Sequence, residues 1–401
     1  MTTLQRMAAL GLLVAAGLPA AAQTVDDGRA VSNELFSDAS WRTAGLGAPE
    51  KVYAPKVGGQ VISRYNVNYR NNPPGFSDTT LGGQMAQVKL NFTGNVVDES
   101  IRYRIQFKFD ETNGNLVLED SFIDVQPEDE FVFRFGQFKA PLLKEELMSD
   151  VRQLTANRSV MNAVFSQGRT QGAMLIYTAP TQRVSFAATD GLRTPNTDYV
   201  APSEADFALT GRYEYKIDGD WKQYEEFTSF PDSKYFGALG AALHYQEGGD
   251  SFATGVGRTD NINIWQATVD AMAKGNGWNV YTAAVFRQRE TVAATRVSRD
   301  DFGFLIQGGY FFRPQWELFA RYDVVIPDGR RTLDRTFNTI TIGANKYISP
   351  RSHALKFTVD VQWFLDRQNA QDLVTENTST GVLRSTDDNQ LALRAQLQLV
   401  F

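Results

Sequence analysis

From residue 58 to the end, the chain repeatedly alternates oily and polar side chains, one for one, in segments of 8 to 14 residues. The last segment shows this best. Leu391, Leu393, Ala395, Leu397, Leu399 and Phe401 share one parity, while Ala392, Arg394, Gln396 and Gln398 share the other. Ile101, Tyr103, Ile105, Phe107 and Phe109 alternate in the same way with Arg102, Arg104, Gln106 and Lys108. Neighbouring residues of a strand point to opposite faces, so each segment reads as a strand with one oily and one wet side. About sixteen such segments can be marked, among them 58–69, 84–93, 100–110, 116–126, 131–138, 301–311 and 390–401, an even number that suits a closed antiparallel barrel.

Alternation also fits a soluble sandwich with its oily faces turned inward. Connection lengths decide between the two. If both ends of a membrane barrel lie on one side, every second connection should be short. Residues 95–99, 127–130, 180–182, 274–276, 313–315 and 349–352 are short and in phase. Between them lie the longer 70–83, 139–171, 193–205, 289–300, 326–336 and 367–389. Two connections break the pattern: 111–115 is short on the long side, and 217–234 is long on the short side. A chain of 401 residues is large for one soluble core, whereas a barrel grows by adding strands around a lumen. The expected fold is therefore all-β, a transmembrane antiparallel barrel over residues 58–401.

Ahead of it, Arg6 precedes a short apolar run at 8–18 and the small residues Ala20, Ala21 and Ala22. This is the pattern of an export signal over 1–22, cut after Ala22. Residues 23–57 are polar and without period, and read as a periplasmic lead-in. The expected location is the outer membrane of a Gram-negative-type bacterium, with membrane lipid around the barrel.

The chain has no cysteine, so thiolate metal sites and thiol nucleophiles are excluded. A net charge of −6 argues against a nucleic-acid partner. Its two histidines, His244 and His353, have no metal-like spacing and no recognisable Ser or Asp partner. Both read as structural, and no cofactor, metal or catalytic residue is expected. A barrel enzyme and an adhesive barrel without conductance remain as rival functions.

The wet faces should line a lumen. They carry Arg64, Arg70, Lys89, Arg102, Arg104, Lys108, Arg134, Arg212, Lys216, Arg287, Arg321, Lys356 and Arg394. The acids assigned to the same faces are Asp110, Asp120, Asp124, Asp206, Glu214, Asp270, Glu317, Asp323 and Asp360. The wall thus leans basic although the chain is acidic. The connection 139–171 is the candidate constriction, with Pro141 suited to a first helical position and Lys139, Lys144, Arg152, Arg158 and Arg169 along it. Glu145 and Glu146 read as part of a solvated helix face.

The stretch Phe133-Arg134-Phe135-Gly136-Gln137-Phe138-Lys139-Ala140-Pro141, followed by Glu145-Glu146-Leu147, resembles the phosphate-selective porin O and P family. Arg158-Ser159, Arg169, and the stretches 316–322 and 341–347 are similar to it too. An acidic residue often precedes the arginine-serine pair in that family; here it is Asn157. The resemblance implies a homotrimer, a pore in each barrel, and a loop folded into it. Passive diffusion of small anions such as phosphate follows as an expectation, with a non-selective pore as the alternative. Arg64, Arg102, Arg104, Lys108 and Arg134 on the wall, with Lys139, Lys144, Arg152, Arg158 and Arg169 on the loop, are the candidate anion-binding residues.

Overall fold

The computed structural model describes residues 55–401 except 72–74, 76, 97, 112, 200, 202–203, 249–261, 292–295, 332–334, 369–372 and 378. The expected signal segment and the lead-in up to residue 54 lie outside the described residues.

Sixteen strands follow one another around a closed antiparallel barrel. They are β1 (Lys56–Tyr69), β2 (Thr79–Val96), β3 (Asp98–Phe109), β4 (Leu116–Glu128), β5 (Phe131–Lys139), β6 (Arg169–Thr178), β7 (Gln182–Thr189) and β8 (Phe207–Asp218). The second half comprises β9 (Phe236–Glu247), β10 (Ile262–Gly275), β11 (Trp278–Thr291), β12 (Val297–Arg313), β13 (Trp316–Ile326), β14 (Phe337–Tyr347), β15 (Leu355–Phe364) and β16 (Gln390–Val400). β1 pairs with β16 from Gln60↔Val400 to Tyr69↔Leu391, so every strand has two neighbours and no edge is left open.

The faces are inverted relative to a soluble protein. Leu393, Leu399, Val361 and Trp363 point outward and are exposed, while Arg394, Gln398, Gln362 and Lys356 are buried inside. No described helix is long and apolar enough to cross a membrane; strands make the crossing.

Each of the sixteen expected segments overlaps one of these strands, with ends that differ by a few residues. β2 begins at Thr79 rather than at residue 84, because Gly82 and Gly83 carry no side chain from which to read a face. A bulge separates Ile105↔Ser121 from Phe107↔Leu118, so Gln106 faces both Glu119 and Asp120.

The connections between β5 and β6 and between β8 and β9 enter the lumen. The one between β5 and β6 holds α1 (Lys144–Leu147), a 3₁₀ turn (Asp150–Arg152) and α2 (Val160–Phe165). The one between β8 and β9 enters from the end with short connections and holds a 3₁₀ turn (Trp221–Glu225). Leu142, Leu143, Leu154 and Phe165 from the first and Tyr224 and Phe227 from the second share one oily cluster with the inner wall, including Ala238, Met272 and Tyr281.

Candidate functional site

A connection that leaves the sheet gives up its ladder bonds, and inside a barrel its peptide groups must find other partners. Wall side chains supply them to the β5–β6 loop. Arg212 donates to Leu142 O (3.0 Å), Lys356 to Gln153 O (2.8 Å), Asn345 to Leu154 O (2.9 Å) and Arg64 to Ala156 O (2.8 Å). Arg321 donates to Asn157 O (2.9 Å), Arg287 to Val164 O (2.8 Å) and Gln266 to Phe165 O (2.8 Å). Asp360 accepts from Ala156 N (2.9 Å) and Asp323 from Met161 N (3.1 Å). Much of the basic wall on β8–β15 therefore serves to carry the loop.

The loop also holds itself. Ser159 caps α2 by accepting from Asn162 N (2.9 Å). Glu145 accepts from Ser159 N (2.8 Å) and Ser159 Oγ (2.5 Å) and is fully buried. The solvated face expected for Glu145 and Glu146 is thus overturned: folding the loop into the barrel removes Glu145 from water and turns it into a brace. Glu146 takes Asn162 Nδ2 at 2.8 Å and lies beside Lys139 and Arg158. Burial alone would raise its pKa, but Arg158 and Lys139 hold it at about 2. Asp150 is also kept well below the carboxylate range against burial, chiefly by Arg158 and Lys89.

The open space lies on the other side, between the loop and the wall. A cavity of about 310 Å³ is lined by Arg64, Gln87, Glu111, Glu146, Asp150, Asn157, Arg158 and Arg193, among others. From it a band of ion pairs runs along β2–β6. Lys89 lies 2.7 Å from both Glu119 and Asp150. Arg169 reaches Asp120 (2.7 Å) and Glu119 (3.1 Å), and Arg104 reaches Asp120 (3.6 Å). Arg134 grips Asp124 with two bonds (2.7 and 2.8 Å) and stacks over Phe122 at 3.7 Å. Lys108 pairs with Glu111 (2.9 Å), Lys139 with Glu146 (3.6 Å), and Arg158 with Asp150.

Of the ten candidate residues, the structure brings Arg104, Lys108, Arg134, Lys139, Arg158 and Arg169 into this band. Arg102 stands near the same wall, exposed, and donates to Gln126 (2.5 Å). Lys108 sits beside Glu111 near the opposite end of β3. Arg64 is buried and donates to Gln396 (2.7 Å) as well as to the loop. Lys144 and Arg152 turn away from the cavity. Lys144 lies 3.4 Å above the Tyr224 ring and is lowered by burial to about 8; Arg152 pairs with Glu225 (3.2 Å).

The parity reading missed Glu119, which the bulge turns inward beside Asp120, and Asp301, which is buried among Arg287, Arg289 and Arg331. Both histidines are buried. His244 meets Thr210 (2.9 Å), and His353 meets Glu226 (2.9 Å). Among the described residues, no group of three or more His, Asp or Glu side chains is placed to hold a metal ion.

The fold is shared with solved outer-membrane barrels. An anion-selective porin from Comamonas acidovorans superposes with a TM-score of 0.56 at 12% identity, over 87% of this chain and 99% of that one. The outer membrane channel DcaP of Acinetobacter baumannii gives 0.57 at 14% identity, over 88% and 100%. OmpT of Vibrio cholerae gives 0.57 at 11% identity, over 88% and 99%. No curated protein matches the sequence. The family model for phosphate-selective porin O and P matches residues 56–401, the whole barrel, and the chain belongs to that family as an outer-membrane porin.

Proposed function

We propose that this porin passes small anions, phosphate among them, by a modest charge preference and without a dedicated coordination cage. One observation carries the reading. In the ion pairs along the open wall, the base is the more exposed partner: 38% against 11% for Arg104 and Asp120, 27% against 17% for Lys108 and Glu111, and 22% against 12% for Arg134 and Asp124. Only Lys89 reverses the order, at 5% against 12% for Glu119. A solute moving along this wall meets guanidinium and ammonium groups before carboxylates.

The surplus points the same way. The interacting set holds eight bases (Lys89, Arg102, Arg104, Lys108, Arg134, Lys139, Arg158 and Arg169) and six acids (Glu111, Glu119, Asp120, Asp124, Glu146 and Asp150). Rings of such charge attract anions where a pore is narrow. A phosphate-specific site would instead need several free donors at one height, and here carboxylates occupy most of the donors.

The working form is proposed to be a trimer, each chain exported through a cleaved signal at 1–22. One solved V. cholerae OmpT relative is described as a trimer, with a TM-score of 0.57 at 10% identity. The protein acts as a channel and has no enzymatic role in this reading. The test is the reversal potential across a salt gradient, with chloride and phosphate in turn.

A further inference from the structure

The β8–β9 connection is long at the end of the barrel where its counterparts are short. Its residues do not hang below the barrel. Asp220 accepts from Lys222 N (2.9 Å) and receives Gln223 Oε1 on its own N–H (2.9 Å), which starts the 3₁₀ turn and aims the chain inward. Trp221 donates to Ala179 O (3.0 Å) on the β6–β7 turn.

From there the segment crosses the inner wall from β8 to β15. Tyr224 is fully buried and donates to Asp270 of β10 (3.0 Å). Lys274, also of β10, donates to Glu226 O (2.6 Å) and Thr228 O (3.1 Å). Phe227 meets Tyr281 of β11 with ring centres 4.9 Å apart. Phe230 meets Phe311 of β12 (5.6 Å) and Tyr347 of β14 (4.9 Å). Glu226 reaches His353, two residues before β15 (2.9 Å).

The segment also touches the constriction loop from below, through Arg152–Glu225 (3.2 Å) and Lys144 over Tyr224 (3.4 Å). Apart from the exposed Arg152–Glu225 pair, these contacts are largely buried, aromatic or charge-paired, which is the character of a fixed element. Among the described residues, no comparable contacts of this segment reach β2–β5, where the charged band lies open.

We propose that this segment is an internal plug: it closes the β8–β15 half of the lumen, supports the constriction loop, and confines permeation to the lane along β1–β6. The permeating solutes this selects for are small and polar, because the lane is bounded by the arginine-rich band on one side and by the loop's Glu146 and Asp150 on the other. This reading rests on the porin being a channel and not on its charge preference.

The absence of cysteine makes the test clean. Single substitutions Ala238→Cys and Met272→Cys place a thiol behind the plug, and Arg102→Cys places one in the lane. A charged, membrane-impermeant methanethiosulfonate is added during conductance recording of the folded trimer or monomer. The lane thiol should react and reduce the current, and the two plug-side thiols should react about tenfold more slowly or not at all. In a second variant, residues 222–232 are replaced by a short Gly-Ser turn; Gly219 already lies against the Tyr235 carbonyl, so the ends are adjacent. That barrel should conduct about twofold or more above the wild type and expose Met272→Cys to the reagent. Equal reaction of Ala238→Cys and Arg102→Cys in the intact chain overturns the plug. So does an unchanged conductance in a deletion barrel that folds. If the deletion barrel does not fold, the thiol rates in the intact chain decide alone.

Discussion

Lys89 of β2 lies 2.7 Å from the Asp150 carboxylate, tying the barrel wall to the constriction loop at the side of the open lane. Asp150 also holds Arg158, so one carboxylate quiets two cations. Asp150→Asn should release part of that positive field. A unit charge at about 4 Å is worth about 1 kcal/mol in water, or about fivefold in an equilibrium. The expected outcome is an anion-to-cation permeability ratio raised about two- to fivefold, read from reversal potentials. No shift, or one toward cations, would detach these groups from the pathway.

Asp360 tests how the loop is carried. It accepts from Arg394 through both oxygens (2.6 and 2.9 Å) and from Ala156 N (2.9 Å), and both Asp360 and Arg394 are buried. Asp360→Ala leaves a buried guanidinium without its carboxylate, which costs about 3–5 kcal/mol. Denaturant unfolding should show that loss, and the open channel should become noisier as the loop loosens. Asp360→Leu combined with Arg394→Met should recover much of the stability, since no charge is then stranded.

The plug supplies a pH dependence. Burial holds His353 at about 4, below its ordinary 6.5, and outweighs the pull of Glu226. The unfolded chain therefore takes up a proton near 6.5 while the folded one does not, and stability falls as pH drops from about 6.5 to about 4, by at most about 3 kcal/mol. Glu226 is held at about 2 against burial, by His353 and Lys274. Its contribution is present above about 4.5 and is lost as pH falls toward about 2. His353→Gln should flatten the first window and shrink the second, which Lys274 then sustains without the imidazole, in unfolding midpoints measured across that range.

The seam of the barrel depends on Phe401. Its amide donates to Gly59 O (3.0 Å), its carbonyl accepts from Gly59 N (2.6 Å), and its ring lies over Gly59 so closely that a Cβ there would sit 2.8 Å from Cζ. Phe401→Ala keeps the two backbone bonds and loses the ring. Deletion of Phe401 loses both. The heat-modifiable, folded fraction after refolding should fall for the first variant and fall further for the second.

The barrel was legible because its strands obey a period of two, clearest in Ile101–Phe109 and Leu391–Phe401, and its connections largely alternate short and long. The charge balance was less so. One extra residue opposite Gln106 turns both Glu119 and Asp120 inward, and no local signal in that stretch marks a bulge. Glu145 and Glu146 read as a wet helix face because a short helix inside a lumen has the same sequence as one outside it. The insertion between β8 and β9 was visible as a length, but its aromatics Tyr224, Phe227 and Phe230 gain meaning only from strands far along the chain.

The exposed bases of the lane are proposed to bias permeation toward anions, and the reversal potential across a potassium chloride gradient reads that bias. The wild-type channel should reverse on the anion-selective side. Arg102→Ala with Arg104→Ala should move it toward neutrality, with the barrel still folded. A wild-type channel that prefers potassium would contradict the account outright, and an unshifted anion preference in the double variant would remove these two arginines from it.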